Sequence, residues 1–354
     1  MTAKNTSEDV NNYIHLDQRS HVLAKSGMYI GNTKFNIQNE YIFKDNFIQL
    51  ENINYNEGLV RIFLEILTNA TDNVARSKTK NIEQKIINVN IDNKQWIEIS
   101  NDGSCIPIEL TKDKDGKEVY VPELLFGYLL SSSNYDDTKS RNGIGGTFGV
   151  GASLTNIFSK HFEVIIKNKD SQKEYKQIWK NNMSVKELPS IKNKDIKHNL
   201  ITIKYLADFN YFGCTEYSDD IINHITKLIY DASLNSEINI KLNSNKIGIK
   251  NMLDYVKSYY NDNNDNKEFI EIKTSNSHLI IVPNYDKDNF DNTTISFVNG
   301  IFTFENGIHV NEFENIIFKH ISEKLSKKNN IFNIKDIKPF FKIFIKCYYC
   351  YFFF

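Results

Sequence analysis

The sequence predicts an α+β fold in two consecutive domains, and three observations carry that expectation. Leu59, Ile62, Phe63, Ile66, Leu67, Ala70 and Val74 recur at helical spacing, as a helix with one buried face requires. Apolar runs at 86–91, 96–100, 162–166, 175–179 and 201–205 read as strands, which suit a mixed sheet covered by helices on one face. At 354 residues the chain is long enough for two sizeable cores.

Taken in order, residues 1–20 form a polar arm expected to order on dimerisation. The runs 86–91 and 96–100 flank Asp92-Asn93-Lys94-Gln95 and predict a hairpin. Residues 112–118 are charged and read as a surface excursion. Leu124–Leu130 is expected to be helical and to lead into a polar lid near 131–140. A helix near 218–233 precedes Ile238–Leu242, an alternating strand, and the domain boundary is placed just before it: domain one is 1–236, domain two 237–354. Residues 261–267 are low in complexity and predict an exposed loop. Strands near 269–273, 278–282 and 294–298 and a helix over 310–326 complete the second domain. No internal repeat is visible.

Composition narrows the functional classes. Hydrophobic residues make up 40% and charged residues 25%, as in an ordinary globular protein. The formal net charge of −1 supplies no global basic field, so any nucleic-acid contact must be local. The four cysteines, at 105, 214, 347 and 350, offer no disulfide framework. Cys347 and Cys350 form a lone Cys-x-x-Cys with no second pair, and a zinc site needs two more ligands. No signal peptide opens the sequence and no run approaches the ~20 apolar residues of a membrane span.

Three segments carry chemistry. In Glu65-Ile-Leu-Thr-Asn-Ala-Thr-Asp-Asn73, the residues Glu65, Asn69 and Asp72 stand at i, i+4 and i+7 and share a stripe away from the apolar one. A carboxylate one turn from an amide oxygen can activate a water beside a magnesium-bound phosphate. Trp96–Pro107 is a strand running into a polar turn, where Asp102 could accept a hydrogen bond from an adenine amino group. Gly145–Ile157 is a glycine-rich loop feeding an apolar helix, which lets backbone N–H groups approach phosphates. It is neither a Walker A loop nor a Rossmann fingerprint. Taken singly, the stripe reads as a solvated face and the glycine loop as a turn.

The ordered trio resembles the GHKL ATPases: gyrase, the large heat-shock chaperones, histidine kinases and MutL. Val119–Asp137, with its Val-Pro-Glu-Leu-Leu-Phe-Gly run, is similar to the eukaryotic and viral type II DNA topoisomerases. His21-Val22-Leu23 and Met28-Tyr29-Ile30-Gly31 resemble the opening of their ATPase domain. Ser296–Gly300 and Gly307–Val310 resemble the transducer domain that follows it. The resemblance is collinear from about Tyr13 to about Lys346. It implies a GHKL (Bergerat) sandwich of mixed sheet and helices, then a ribosomal-type α/β transducer.

The resemblance also implies roles. Glu65 would be the general base and Asn69 the magnesium ligand. Asp72 and Asn73 would orient the site and reach the nucleotide, and Asp102 would read adenine. Ser132, Ser133 and Asn134 would contact ribose and phosphates from the lid. Gly146, Gly149, Val150, Gly151 and Ala152 would line the triphosphate. Tyr13, 16 positions before Tyr29, would reach the ATP of a partner subunit, its alternative being an exposed tyrosine on a loose arm. Lys324, Lys327 and Lys328 would touch DNA weakly, their alternative being a solvated charge run. Implied with these are ATP and Mg2+ as ligands, double-stranded DNA as substrate, and a homodimer formed through the N-terminal gate. Cleavage and religation domains would lie on a longer or separate chain, and the protein would be intracellular, in the nucleus or in a viral factory or the cytoplasm.

The chain departs from the pattern in places. Cys105 replaces the second glycine of the Asp-Gly turn, Thr147-Phe148 replaces an Arg-Asn pair, and Ser153 replaces a lysine. Gly149–Ser153 is similar to the bacterial gyrase loop, which keeps a gyrase or topoisomerase IV B-type subunit open as an alternative. In the family a Gln-Thr-Lys loop brings a lysine to the γ-phosphate, and it would fall just past Phe354. A nucleotide-binding dimerisation module with negligible turnover is therefore the third reading.

Overall fold

The computed structural model describes residues 15–129, 151–260, 268–284, 294–303, 307–326 and 333–348. The chain opens with α1 (Gln18–Ala24), α2 (Gly27–Ile30) and a hairpin of β1 (Asn36–Lys44) and β2 (Phe47–Tyr55). The long helix α3 (Glu57–Thr79) follows, then β3 (Ile86–Asp92) and β4 (Trp96–Asn101). A short hairpin of β5 (Leu110–Lys112) and β6 (Glu118–Tyr120) leads to α4 (Val121–Gly127) and, later, α5 (Gly151–Ile157). Next come β7 (Ser159–Asn168), β8 (Lys173–Lys180), β9 (Val185–Lys186), β10 (Ser190–Asn193) and β11 (Leu200–Ala207). They are followed by α6 (Phe209–Phe212), α7 (Asp219–Ser236), β12 (Asn239–Leu242), β13 (Asn245–Lys246) and α8 (Met252–Lys257). The last group is β14 (Ile270–Lys273), β15 (Ser277–Pro283), β16 (Thr294–Val298), β17 (Ile301–Phe302), α9 (Ile308–Ser326), α10 (Ile334–Ile337) and β18 (Phe341–Cys347).

The large sheet runs β10-β8-β7-β11-β4-β3-β12-β13, with β9 added on β8. Its faces follow the period of two in each strand. Ile87, Val89, Ile97, Ile99, Phe162, Val164 and Tyr205 point inward and are buried, while Asn88, Asn90, Glu98, Glu163 and Lys204 alternate outward. Helices α3, α5 and α7 pack on the inner face, as the one-sided pattern predicts. Helix α3 starts where the Asn56 side chain accepts from Leu59 N at 3.1 Å, and Arg76 and Lys78 sit in its last turn, where its dipole favours cations. The 92–95 turn closes the expected hairpin, with Asn93 and Lys94 at φ 50° and 54°. The 112–118 excursion is the tip of the β5–β6 hairpin, and α4 begins at Val121, earlier than expected, because Pro122 suits a helix's first turn.

Strand β12, expected to open the second domain, pairs in parallel with β3 from Asn239↔Ile86 to Leu242↔Val89. Ile240 needs a buried face, and β3 offers the free edge that supplies it. The second sheet begins only at Ile270, in the order β14-β15-β18-β16-β17, with β16 and β18 parallel. One of its faces, bearing Leu279, Ile281, Ile343 and Ile345, packs on Val310 and Phe318 of α9 and on Ile337. The other, bearing Ile280, Val282, Phe297 and Phe344, joins the main core.

Polar groups lie buried where the two sheets meet. Lys227 Nζ on α7 reaches Asp231 Oδ2 at 2.7 Å and lies 4.0 Å from the centroid of the Phe302 ring on β17. The Asp231 Oδ1 atom accepts from Tyr255 on α8 at 2.7 Å. Burial pushes Asp231 above the ordinary carboxylate range, and Lys227 opposes that shift. From β18, Lys346 donates to Leu234 O at 3.1 Å, near the carbonyl end of α7.

Candidate active site

Helix α3 carries two stripes. Leu59, Ile62, Phe63, Ile66, Leu67 and Ala70 are buried against the sheet. The second stripe holds Glu65, Asn69 and Asp72, and it continues to Arg76, one further turn along. Glu65 is half-buried and its Oε1 receives Arg61 Nε at 2.6 Å. Asp72 is buried, and burial works against the charge of Arg76 while Asp72 supports it. The Arg76 Nε–H has no hydrogen-bond partner among the described residues.

Helix α5 is clamped onto this stripe. Thr155 Oγ1 donates to Ile62 O at 2.8 Å, and Asn156 Nδ2 donates to Phe126 O at 3.0 Å. The clamp brings the first residue of α5 against Glu65. A Cβ at Gly151 would stand 2.1 Å from Glu65 Oε2, so only glycine leaves that carboxylate its place. Ala152 follows, buried, and the Ser153 side chain is buried as well.

The polar turn after β4 is tied to α3 by Asn73. Its Nδ2 donates to Gln84 Oε1 at 2.9 Å, Asp102 O at 3.2 Å and Ser104 O at 3.1 Å. Asn73 thereby builds the turn. Gly103 takes φ +95°, with Ser77 Oγ only 2.6 Å from where a Cβ would sit, so glycine is required there. Cys105 does not share that demand, as its backbone is not in the positive-φ region. Its thiol, pushed up to about 12 by burial, lies against Lys167 O at 3.4 Å.

Asp102 is placed otherwise than expected. Its Oδ1 accepts from the backbone of Lys85 at 2.9 Å and of Ile86 at 3.0 Å, closing the start of β3. It lines a cleft with Lys167, Lys194, His198 and Asn199, none of which belongs to the Glu65 corner. The preceding residue, Asn101, continues the inward series Ile97, Ile99 and is buried. Its Nδ2 donates to Asp102 O at 2.9 Å. The period of two along β4 puts Asn101 on the inner face with Ile97 and Ile99, and Asp102 beyond the strand's end.

The structure therefore sets Glu65, Asn69, Asp72 and Arg76 along one stripe of α3 and brings Gly151, at the head of α5, against Glu65, with Asn73 and Asn101 at the turn. Tyr13, Ser132, Ser133, Asn134, Gly146, Gly149, Val150, Lys327 and Lys328 lie outside the described residues. Lys324 is exposed in the last turn of α9. Cys347 is buried in β18, and no cluster of metal-ligating side chains occurs among the described residues. No helix among them is long and apolar enough to cross a membrane.

No protein-family model matches the chain. It is 34% identical over 339 residues to a probable DNA topoisomerase 2 of Dictyostelium discoideum, and 33% identical over 358 residues to DNA topoisomerase 2 of invertebrate iridescent virus 6. The crystal structure of the ATPase region of Saccharomyces cerevisiae topoisomerase II superposes with a TM-score of 0.83 at 32% identity, covering 96% of this chain and 86% of that one. The chain belongs to the type II DNA topoisomerase family. The alignments cover 94% and 96% of this chain but only 21% and 31% of the slime-mould and viral topoisomerases. The matched topoisomerase ATPase region covers 96% of this chain and so takes in both sheets.

Proposed function

We propose that this chain is the ATP-binding and ATP-hydrolysing gate of a type II DNA topoisomerase, whose closure drives duplex passage. The observation that supports it most directly is the contact between the Glu65 carboxylate and the first residue of α5, where the glycine-rich segment ends. A base must lie within hydrogen-bond reach of the water it activates, and that water must lie beside the γ-phosphate. Glu65 Oε2 faces the place where backbone N–H groups at the head of α5 would receive phosphate oxygens. It takes the proton as the water attacks.

The donor set fits the nucleotide. Gly151 lets the backbone at the head of α5 lie against the Glu65 carboxylate, and Arg76 carries a buried Nε–H that has no partner among the described residues. Asn69, one turn beyond Glu65, offers a hard amide oxygen and would hold magnesium. Bound magnesium supplies neutralisation of the phosphate charge. Asn101, and not Asp102, takes the adenine edge. With Nδ2 given to Asp102 O, its Oδ1 remains to accept from the adenine amino group. Ser132, Ser133, Asn134, Gly146, Gly149 and Val150 complete the phosphate and ribose contacts, Tyr13 reaches the partner's nucleotide in a homodimer, and Lys324, Lys327 and Lys328 make salt-sensitive contacts to double-stranded DNA.

The test is Glu65→Gln. ATP affinity by titration calorimetry is expected to stay within about threefold, while hydrolysis falls by roughly 10²–10⁴. Turnover at the unsubstituted rate would remove Glu65 from the role.

A further inference from the structure

We propose that Arg19 and Asn182 are positioning residues for α5, and that together they latch α1 to the end of that helix away from Glu65. The functional half of this rests on the nucleotide reading of the Glu65–Gly151 corner. The turn between β8 and β9 carries the observation. Asn181, Asn182 and Met183 follow one another at φ 50°, 60° and 62°. Asparagine tolerates the left-handed region singly, but three residues in succession make a left-handed turn that L-residues disfavour. Such a turn persists only where its surroundings hold it.

Contacts from two sides hold this one. From α1, Arg19 donates through Nε to Asn182 O and through Nη2 to Asn181 O at 3.5 Å, so one guanidinium gathers two successive carbonyls. From β7, Ser159 O accepts from Asn182 N at 2.8 Å. The Asn182 side chain then reaches α5. Its Nδ2 donates to Ile157 O at 3.0 Å and to Asp208 Oδ2 at 3.0 Å, and its Oδ1 accepts from Lys160 Nζ at 3.2 Å. Ile157 is the last residue of α5, where a carbonyl has no partner within the helix. With only seven residues, α5 takes its position from what grips its ends. One end is fixed by Asn182, and the other lies against Glu65. Arg19 is half-buried and Asn181 exposed, so changing them opens no core.

The experiment compares Arg19→Leu, Asn182→Gly, those two together, and Arg19→Leu with Asn181→Gly, all in the whole chain. By calorimetry, Arg19→Leu is expected to weaken ATP roughly three- to tenfold, and inorganic triphosphate equally, because the phosphates and not the base meet the Gly151 corner. Asn182→Gly should do the same, and the double variant should be no worse than either, since both cut one chain of contacts. Glycine enters the left-handed region freely, so Asn181→Gly should restore most of what Arg19→Leu loses. The second readout needs no nucleotide. The Phe158 amide donates to Leu154 O at 3.0 Å at the end of α5, and its hydrogen exchange should quicken roughly tenfold in Arg19→Leu and slow again with Asn181→Gly. Amides of β15, in the second sheet, should keep their rates. Equal acceleration in β15 overturns the latch, since it makes Arg19 an ordinary stability contact. So do unchanged exchange at Phe158, additive losses in the double variant, or a loss confined to ATP. Failure of the nucleotide reading is separate: ATP and triphosphate affinities would then match in every variant while Phe158 exchange still followed Arg19.

Discussion

Helices α3 and α7 each carry a cation and an acid four residues apart, at nearly the same separation, and the two pairs do different work. Arg61 and Glu65 lie 2.6 Å apart with side chains 53% and 17% exposed. Lys227 and Asp231 lie 2.7 Å apart at 2% and 9%. The first pair faces the proposed nucleotide corner and keeps one carboxylate oxygen for chemistry. The second is enclosed by Tyr255 and Phe302, and both Asp231 oxygens are already bonded. Spacing brings the partners together in both, but burial decides whether an acid is available to a substrate or held for the fold.

The widest separation between the pairs should appear when each acid is removed. Glu65→Gln is expected to cut hydrolysis by roughly 10²–10⁴ and to leave the urea midpoint nearly unchanged. Asp231→Ala should do the reverse to stability, costing about 3–5 kcal/mol because Lys227 is left buried and unpaired. Chemical denaturation of the two variants side by side checks both, and equal destabilisation would erase the distinction. Replacing Lys227 and Asp231 together by Met and Leu should recover much of the loss, since a buried ion pair costs desolvation that apolar packing avoids.

A smaller effect sharpens the picture of the α7 side. His224, one turn before Lys227, is buried, with Nδ1 2.9 Å from Tyr41 O. Burial, with the Lys227 charge adding to it, holds the imidazole down to about 3 from an ordinary 6.5. Between those values the unfolded chain binds the proton and the folded one does not. The stability carried by the neutral ring is therefore present above pH 6.5 and lost as pH falls toward 3. Going from pH 7 to pH 5 should remove about 2 kcal/mol through this group, read as the difference in slope between the unsubstituted chain and His224→Gln. Matching slopes would show that His224 does not drive the acid sensitivity.

The smallest expected effects separate neighbours at the turn. Asn101→Ala should weaken ATP roughly tenfold while leaving inorganic triphosphate affinity unchanged, as loss of one buried hydrogen bond to the base would do. Asp102→Ala should lower stability by about 1–3 kcal/mol, because two backbone N–H groups lose a charged acceptor, and should weaken both ligands alike. Calorimetry with both ligands distinguishes them. A greater loss of ATP than of triphosphate in Asp102→Ala would return the adenine contact to that residue.

Much of this was legible in residue order. The apolar and polar stripes of α3 follow from side chains recurring every 3.6 residues. The β3–β4 hairpin follows from two apolar runs around a four-residue polar turn. Glu65 and Gly151 could each be singled out, since a glycine segment leading into an apolar helix and an acid on a polar stripe are local patterns. The N-terminal hairpin of β1 and β2 is not legible in residue order, because Asn36–Tyr55 mixes polar and apolar side chains without strict alternation.

By itself, then, the sequence determined the helix α3 and its apolar face, the β3–β4 hairpin, and the family to which the chain belongs. All three are written in short-range periodicity or in ordered motifs. Only the tertiary structure decided that Asn101 and not Asp102 lies on the helix-covered face, that β12 joins the first sheet, and that one ion pair is open and the other sealed. Each of these depends on partners far away in the chain: Lys85 and Ile86 for Asp102, Ile86–Val89 for β12, and Tyr255 and Phe302 for Asp231 and Lys227. Periodicity tells a residue which side of its own element it occupies, and packing between elements tells that side whether it meets water, core or substrate.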